Sequence, residues 1–468
     1  MKFHCKNELS LLSFDEAVVK EFKIEIPKSV KLIINVLEEN GFEAFAVGGC
    51  VRDTILGRNP QDWDITTSAL PEQVKALFNR TIDTGIQHGT VTVMIKRVGY
   101  EVTTYRVDGE YNDGRHPDSV EFTSNLIEDL KRRDFTINAM AYNPTVGLID
   151  AFDGIGDIER KLIKCVGVAE ERFGEDALRI LRAVRFSAQL GFEIENDTMK
   201  AIEKLAPTLE KISAERIRVE MEKLIVSNHP DKLITAYKSG ITKVIFPEFD
   251  KMMECPQNTP YHKYNVGEHT IKVMENVENT KEMRWAALLH DIGKPQAITY
   301  DKKDPERMHF YGHAHVGAEI AQKIMRRLKM DNKTIKFVTR LVYCHDDRPV
   351  QYEKSPVNVR ISVHNIGKDI YDKYLELVYA DFQGKSDYGK EKGFDGYLYV
   401  KKQYEEIVEN DICTSKKELK ITGKDLIAIG CPKGEIIGDI LENLLKKVLD
   451  NPKLNQKEIL KDIAGTMF

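Results

Sequence analysis

Gly48-Gly49-Cys50-Val51-Arg52-Asp53, followed nine residues later by Asp62-Trp63-Asp64, decides the reading of this chain. The apolar run Ala44-Phe45-Ala46-Val47 predicts a strand that ends at the glycines. There a backbone without side chains comes close to phosphate oxygens and offers N–H groups, with Gly49 at the contact and Arg52 as a charged donor. Side chains alternate along a strand, so Asp62 and Asp64 are expected on one face with Trp63 opposite. Two carboxylates on one face suit one or two Mg2+ ions. Such ions activate an attacking hydroxyl and neutralise a leaving pyrophosphate. Asp-x-Asp alone, or a glycine pair alone, is common in ordinary turns. Their succession within about twenty residues, as strand, glycine turn, helix and carboxylate pair, is a much rarer combination and points to a nucleoside triphosphate site.

The chain has 468 residues, enough for several domains, and its 42% hydrophobic and 31% charged content is ordinary for a globular protein. No apolar stretch approaches the length of a membrane span and no signal-peptide core follows Met1, so a cytoplasmic location without membrane association is expected. Seven scattered cysteines without a Cys-x-x-Cys pair argue against a disulfide framework or a zinc ribbon. A net charge of −5 is no bar to an RNA partner, because basic residues cluster locally. They do so at Lys131-Arg132-Arg133, at Arg179, Arg182 and Arg185, from Lys323 to Lys329 and at Lys446-Lys447.

Residues 25–165 mix strand and helix patterns, with strands at 45–47, 64–66, 90–96 and 101–106 and a helix from Pro71 to Asn79. Beyond residue 170 the apolar spacing is helical throughout and no strand is expected. The fold class is α+β: a mixed α/β head over 25–165, a helical neck and body over 166–260, a histidine-bearing domain over 261–390 and a helical tail over 391–468. Ser213 and Thr422 read as helix N-caps.

The stretch Phe173 to Phe186 predicts one helix on which Asp176, Arg179 and Arg182 share a face, continued by Arg185. Three arginines against one aspartate leave two positive charges without a local partner, which favours an anionic ligand. An aspartate beside an arginine also matches the edge shared by cytosine and adenine, whose exocyclic amine donates to Asp while Arg donates to a neighbouring ring atom.

These motifs, in this order, resemble the class II tRNA nucleotidyltransferases, the CCA-adding enzymes related to bacterial poly(A) polymerases. The resemblance implies Asp62 and Asp64 as Mg2+ ligands and catalytic residues, with Glu101 as candidate third carboxylate. It implies nucleotide contact by Arg133 in Arg132-Arg133-Asp134-Phe135-Thr136-Ile137-Asn138, and a hinge at Asp150 to Asp157. Asp176 and Arg179 would face the base, Arg182 and Arg185 the phosphates, and Ser213 to Ile217 would buttress their helix. Thr104 to Pro117 is similar to the flexible loop that final A addition requires. The implied partners are tRNA, CTP and ATP, with no nucleic-acid template; the tail would hold the tRNA elbow.

A second constellation is His269, His290-Asp291 and Asp381, residue types that bind Mg2+, Mn2+, Ni2+ or Fe2+. Leu288-Leu289-His290-Asp291-Ile292-Gly293-Lys294 resembles the HD phosphohydrolase superfamily, in which those four residues hold a water-activating metal; His313 and His345 would be extra ligands in two-metal versions. The alternatives to CCA addition are an A-adding enzyme or poly(A) polymerase, and an HD-type RNA phosphohydrolase with a noncatalytic head. Nucleotide choice separates the first pair, and loss of transfer in Asp62→Ala separates the last.

Overall fold

The computed structural model describes residues 19–20, 23–109, 120–304, 306–351 and 353–468. These divide into two compact units, one running through residue 224 and taking in 234–245, the other comprising 225–233 and 246–468. The first unit is built on strands β1 (Val19–Lys20), β2 (Ala44–Val47), β3 (Asp64–Thr67), β4 (Thr81–Gly85), β5 (Thr90–Ile95), β6 (Val98–Thr104), β7 (Arg106–Asp108), β8 (Val120–Phe122), β9 (Ala141–Asn143) and β10 (Gly147–Ile149). Eight of them form one sheet in the order β1-β10-β9-β2-β3-β6-β5-β4, while β7 and β8 pair as a separate ribbon.

Helix α1 (Lys28–Glu39) buries Val30, Ile33, Ile34 and Leu37, an i, i+3, i+4, i+7 stripe. Helix α2 (Gly49–Ile55) follows β2 directly, and α3 (Pro71–Leu77), α4 (Leu126–Lys131) and α5 (Gly154–Glu159) complete the set around the sheet. A core of Phe45, Val47, Tyr105, Leu126, Leu130, Ala139, Ala141, Ile149 and Val166 joins strand ends to α4. Each buried Phe, Leu, Ile or Val side chain among them contributes about 1.5–3 kcal/mol, which fixes the strand termini where the carboxylates sit.

The helical remainder of this unit contains α6 (Ala169–Glu175), α7 (Leu178–Leu190), α8 (Asn196–Leu205) and α9 (Ala214–Ile225), then α10 (Leu233–Lys238) and α11 (Ile241–Ile245). Two expectations are corrected. The helix predicted across 173–186 is broken at Asp176, whose φ of −139° and ψ of 104° are extended rather than helical. Strands also occur after residue 170, although each is only two residues long. Strand β11 (Leu162–Ile163) pairs with β12 (Glu193–Ile194), and in the second unit β13 (Thr299–Tyr300) pairs with β14 (Met308–His309). Two-residue strands carry no readable alternation; they exist because a distant partner or a hairpin turn supplies the hydrogen bonds.

The second unit is otherwise helical: α12 (Pro247–Met253), α13 (Val266–Glu275), α14 (Lys281–Leu289), α15 (His313–Arg327), α16 (Asn332–Cys344), α17 (Pro356–Ile366), α18 (Tyr371–Gly384), α19 (Asp387–Glu409), α20 (Gly423–Ala428), α21 (Ile436–Asp450) and α22 (Lys457–Ala464). Helix α20 starts as predicted, Thr422 Oγ1 accepting from the Asp425 N–H at 3.4 Å within a capping box. Buried Leu426, Ile440, Leu444, Leu445, Val448 and Leu460 give the last three helices a core of their own. Arg360 on α17 donates to the Leu449 and Asp450 carbonyls, capping the end of α21. Among the described residues no helix is long and apolar enough to cross a membrane.

Candidate functional sites

In the first unit the glycine turn is held by its own geometry. Gly48 has a φ of +83°, and a Cβ there would lie 3.1 Å from Arg133 Nη1, so only glycine combines this backbone with the guanidinium packed against it. The Gly48 N–H donates to the Met140 carbonyl at 3.1 Å and is therefore engaged within the fold rather than offered to phosphate. Gly49 opens α2. Arg52 is likewise turned inward. It is 7% exposed, donates to Asn138 Oδ1 at 2.5 Å, pairs with Asp53 at 2.8 Å and lies 5.0 Å from the Phe186 ring centre.

Asp64 is the first residue of β3, and Asp62 lies just before the strand rather than on it. Parallel pairing of Ile65 with Val102 places Asp64 beside Glu101 one step earlier along both strands. Desolvation raises the Asp64 pKa; the Arg133 charge opposes this, and the Glu101 and Asp62 carboxylates add to it. Glu101 and Asp62 thus repel Asp64 beside the Arg133 guanidinium, a charge conflict that a divalent cation relieves, although among the described residues these three carboxylates are not brought within 4.8 Å of one another. Behind them Asp129 is fully buried. Burial works to raise its pKa, but Arg132 at 2.8 Å and Arg133 at 3.5 Å outweigh it and hold it down.

The arginines of α7 are not unpartnered, contrary to expectation. Arg179 Nη1 donates to Glu175 at 2.5 Å and its Nη2 to the Arg132 carbonyl at 3.0 Å. Arg182 forms two bonds to Asp134 Oδ2, at 2.9 and 2.6 Å, and Arg185 Nε lies 2.7 Å from Glu220. Asp134 also accepts from the Phe135 N–H at 2.8 Å and from Asn138 at 3.1 Å. Although burial opposes it, Arg182, Asn138 and Arg179 hold the Asp134 carboxyl far below the usual range. Burial pulls the Arg185 guanidinium down to about 10, leaving it charged at neutral pH. Its charge stands 3.7 Å over the Phe186 ring, which Arg52 and Arg182 approach from 5.0 and 5.5 Å. A single aromatic thus ties three guanidinium groups together.

Asp176 does not share a face with Arg179 and Arg182. From the break before α7 it accepts from the Leu178 N–H at 3.0 Å and pairs with Arg216 of α9 at 2.7 Å. An extended residue between two helices is aimed by this tertiary contact rather than by helical spacing. Asp134, Asn138, Phe186 and Glu220 were not singled out as site residues in the sequence; the one available signal was an acidic and an amide residue inside the Arg132 to Asn138 run. The segment from Asp150 behaves as a built turn: Asp150 accepts from the Gly154 and Ile155 N–H groups at 2.6 and 3.0 Å, and a Cβ on Gly154 would strike the Thr136 carbonyl at 2.5 Å. Of the predicted flexible loop, 110–117 lies outside the described residues.

The second unit holds the histidines. His269 comes from α13, His290-Asp291 from the end of α14, His313 from α15, His345 from the end of α16 and Asp381 from α18. Two sets of donors lie within 4.8 Å of one another, His269, His290 and Asp381 in one and Asp291, His313 and His345 in the other. Asp291 therefore groups with the two extra histidines while standing 3.1 Å from His290 Nε2.

Each of these four histidines aims Nδ1 at a backbone carbonyl: His269 at Gly384 (3.2 Å), and His290, His313 and His345 at Ala287, Phe310 and Val342 (2.7 Å each). Carbonyls only accept, so the neutral-ring hydrogen belongs on Nδ1 and Nε2 carries a lone pair. His313 Nε2 then faces His345 Nε2 at 3.1 Å, lone pair to lone pair, and His290 Nε2 is buried without a hydrogen-bond partner among the described residues. Cations between such nitrogens remove the conflict, so the donor sets fit divalent metals. Although burial opposes it, Asp291 is held far below the carboxylate range by Lys294 and, when its ring is charged, by His290, and Asp381 by Lys385 and, when charged, His269. Lys294 and Lys385, 2.7 and 2.6 Å from these carboxylates, were not predicted as part of the site.

Comparison with known proteins gives three family matches along the chain. Residues 44–164 match the poly A polymerase head domain, 191–253 the probable RNA and SrmB-binding site of polymerase A, and 310–464 the putative domain 2 of tRNA nucleotidyltransferase. The CCA-adding enzyme of Ligilactobacillus salivarius is 37% identical over 97% of this chain and 98% of its own length. That of Leuconostoc mesenteroides is 36% identical over 92% and 94%. The crystal structure of the Bacillus stearothermophilus CCA-adding enzyme in complex with CTP superposes with a TM-score of 0.68 at 31% identity, covering 93% of this chain and 95% of that one. The Thermotoga maritima CCA-adding enzyme complexed with tRNA shares the fold, with a TM-score of 0.59 at 22% identity over 95% of this chain and 97% of that one.

Proposed function

The chain belongs to the CCA-adding enzyme family and is a nucleotidyltransferase that adds CCA to tRNA; from that premise we propose which of its residues do the work. Asp62 and Asp64, with Glu101 beside them, would hold Mg2+, which when bound activates the tRNA 3′ hydroxyl and offsets the charge of the departing pyrophosphate. The observation that carries this assignment is the convergence of Asp64, Glu101 and Arg133 at the Gly48 turn.

Arg133, whose Nε is buried without a hydrogen-bond partner among the described residues and whose charge acts on Asp64, would orient the triphosphate. Asp176 and Arg179 would read the amine-bearing edge of C or A. Arg182 and Arg185, anchored by Asp134 and Glu220, would set the positive field for the phosphates while Arg52 and Phe186 hold them in place. The partners are tRNA, CTP and ATP, as in complexes of similar enzymes.

The test is extension of tRNA transcripts ending before CCA, at C or at CC, with Mg2+ and CTP, ATP or both, resolved to single nucleotides. Addition of C, C and A followed by a stop in the wild type, with loss of all addition in Asp62→Ala, supports the assignment. Extension of the CC-ended transcript alone would make the enzyme A-adding, and long A tails would make it a poly(A) polymerase.

The facing nitrogens of the second unit favour an additional reading there, a metal-dependent phosphoesterase. Its imidazole-rich donor sets suit Mn2+ or Ni2+ better than Mg2+, and such a metal when bound supplies activated water. Lys294 and Lys385 would bind the phosphoryl oxygens.

A further inference from the structure

A cavity of about 470 Å3 lies beside the histidines, walled by residues 258–261, by Glu306 and Arg307 of the β13–β14 hairpin and by Tyr388 of α19. Its wall is tied to the histidine centre at both ends. Gln257 Oε1 accepts from Lys294, the ammonium that holds Asp291, at 2.8 Å. His262 stands edge-on to His269 with ring centres 5.2 Å apart. On the far side Ser386 follows Lys385, which holds Asp381; its N–H donates to the Tyr261 carbonyl at 2.9 Å and its hydroxyl to the Pro260 carbonyl at 2.6 Å.

The lining has the chemistry of a nucleoside. Tyr261 and Tyr388 stand 5.2 Å apart at 52°, and both keep much of their surface in solvent, 40% and 46%. Exposed rings with a cation alongside, here Lys392 at 5.7 Å from the Tyr388 ring, are platforms on which bases stack. The Thr259 hydroxyl is buried without a hydrogen-bond partner among the described residues. Asp304 and Glu306 offer acceptors for ribose hydroxyls, and Arg307 offers donors. The volume lies in the range of small-molecule sites.

We propose that this cavity is the nucleoside pocket of the histidine centre and takes a nucleotide unit whose phosphate reaches Lys294 and Lys385. The proposal rests on the phosphoesterase reading of that centre. The reaction is hydrolysis of a phosphomonoester: a water oxygen bonds to phosphorus, the ester P–O bond breaks, and the water's proton goes to the departing ribose oxygen. The products are inorganic phosphate and a hydroxyl-ended nucleoside. A phosphopeptide carries no base to stack and makes no use of the paired tyrosines.

The experiment uses the full-length protein, metal-free and Mn2+-loaded, and two probes: an RNA trinucleotide with 2-aminopurine as its last base and a 3′-phosphate, and p-nitrophenyl phosphate, an ester without a base. Stacking quenches 2-aminopurine, so binding is read on the metal-free protein, separately from turnover by the Mn2+-loaded one. Tyr261→Ala and Tyr388→Ala are each expected to weaken the quenching titration about tenfold, and Tyr388→Trp to retain it. The ratio of kcat/KM for the trinucleotide to that for p-nitrophenyl phosphate should fall by the same factor in the alanine variants. Unchanged quenching in both alanine variants overturns the pocket. Hydrolysis of p-nitrophenyl phosphate that Asp291→Asn abolishes, with inert tyrosines, keeps the phosphoesterase and removes the pocket. Tyrosine-dependent quenching without any hydrolysis does the reverse. A free 2-aminopurine nucleoside 3′-phosphate that binds as tightly as the trinucleotide assigns the pocket to mononucleotides, and tighter binding of the trinucleotide assigns it to strand ends.

Discussion

Asp134→Asn removes one charge and no volume from the point on which the arginine network turns. The carboxylate takes two bonds from Arg182, at 2.9 and 2.6 Å, one from Phe135 N–H at 2.8 Å and one from Asn138 at 3.1 Å, and Asn138 in turn accepts from Arg52. A hydrogen bond to a charged group contributes about 1.5–3 kcal/mol, and breaking a buried pair costs about 3–5 kcal/mol. The Arg182 side chain keeps 34% exposure, so water recovers part of that loss. The expected destabilisation is about 2–4 kcal/mol. It is measured by urea unfolding, with hydrogen exchange over 178–190 as the local readout.

Because the native pKa of Asp134 is depressed, its stabilisation is complete above the unfolded carboxyl value of about 3.9 and is lost as pH falls toward the native one. The gap between wild type and variant should therefore be level from about pH 5 to 8 and narrow below about pH 4. Rates of C and A incorporation should fall together, since the arginines serve both. Wild-type unfolding with wild-type incorporation in Asp134→Asn would refute the reasoning.

Asp64→Asn should lower nucleotide addition at least about a thousandfold with wild-type unfolding, because several kcal/mol of charge stabilisation depend on the carboxylate; single-turnover CTP incorporation checks it. Arg216→Ala releases Asp176 from its 2.7 Å pair and should reduce discrimination against UTP and GTP about tenfold, read from competition between nucleotides. Mn2+ at about 100 times its Kd should stabilise the second unit by about 2.7 kcal/mol, seen as a higher melting temperature that EDTA and His290→Ala both remove. Arg360→Ala leaves the Leu449 and Asp450 carbonyls uncapped and should cost about 1–3 kcal/mol, with faster exchange along α21.

Chemistry carried by short local patterns is legible in the chain itself. The Val47-Gly48 turn, Asp64 at a strand start and the Thr422 cap depend on neighbours within a few positions, and the structure places them where periodicity and turn chemistry predict. The presence of His290-Asp291 next to Gly293-Lys294 is local in the same sense. Only the tertiary structure decided how those groups pair. Glu101 meets Asp64 because β6 lies parallel to β3, a register no local pattern encodes. Asp176 leaves its helix because Arg216, forty residues on, holds it in an extended conformation. The α7 arginines find Asp134 and Glu220 rather than solvent, and six imidazole and carboxylate side chains from five helices and their ends converge through the packing of α13 to α18. Charges seek the nearest compensating partner in three dimensions, and a one-dimensional spacing rule sees only the partners within a turn.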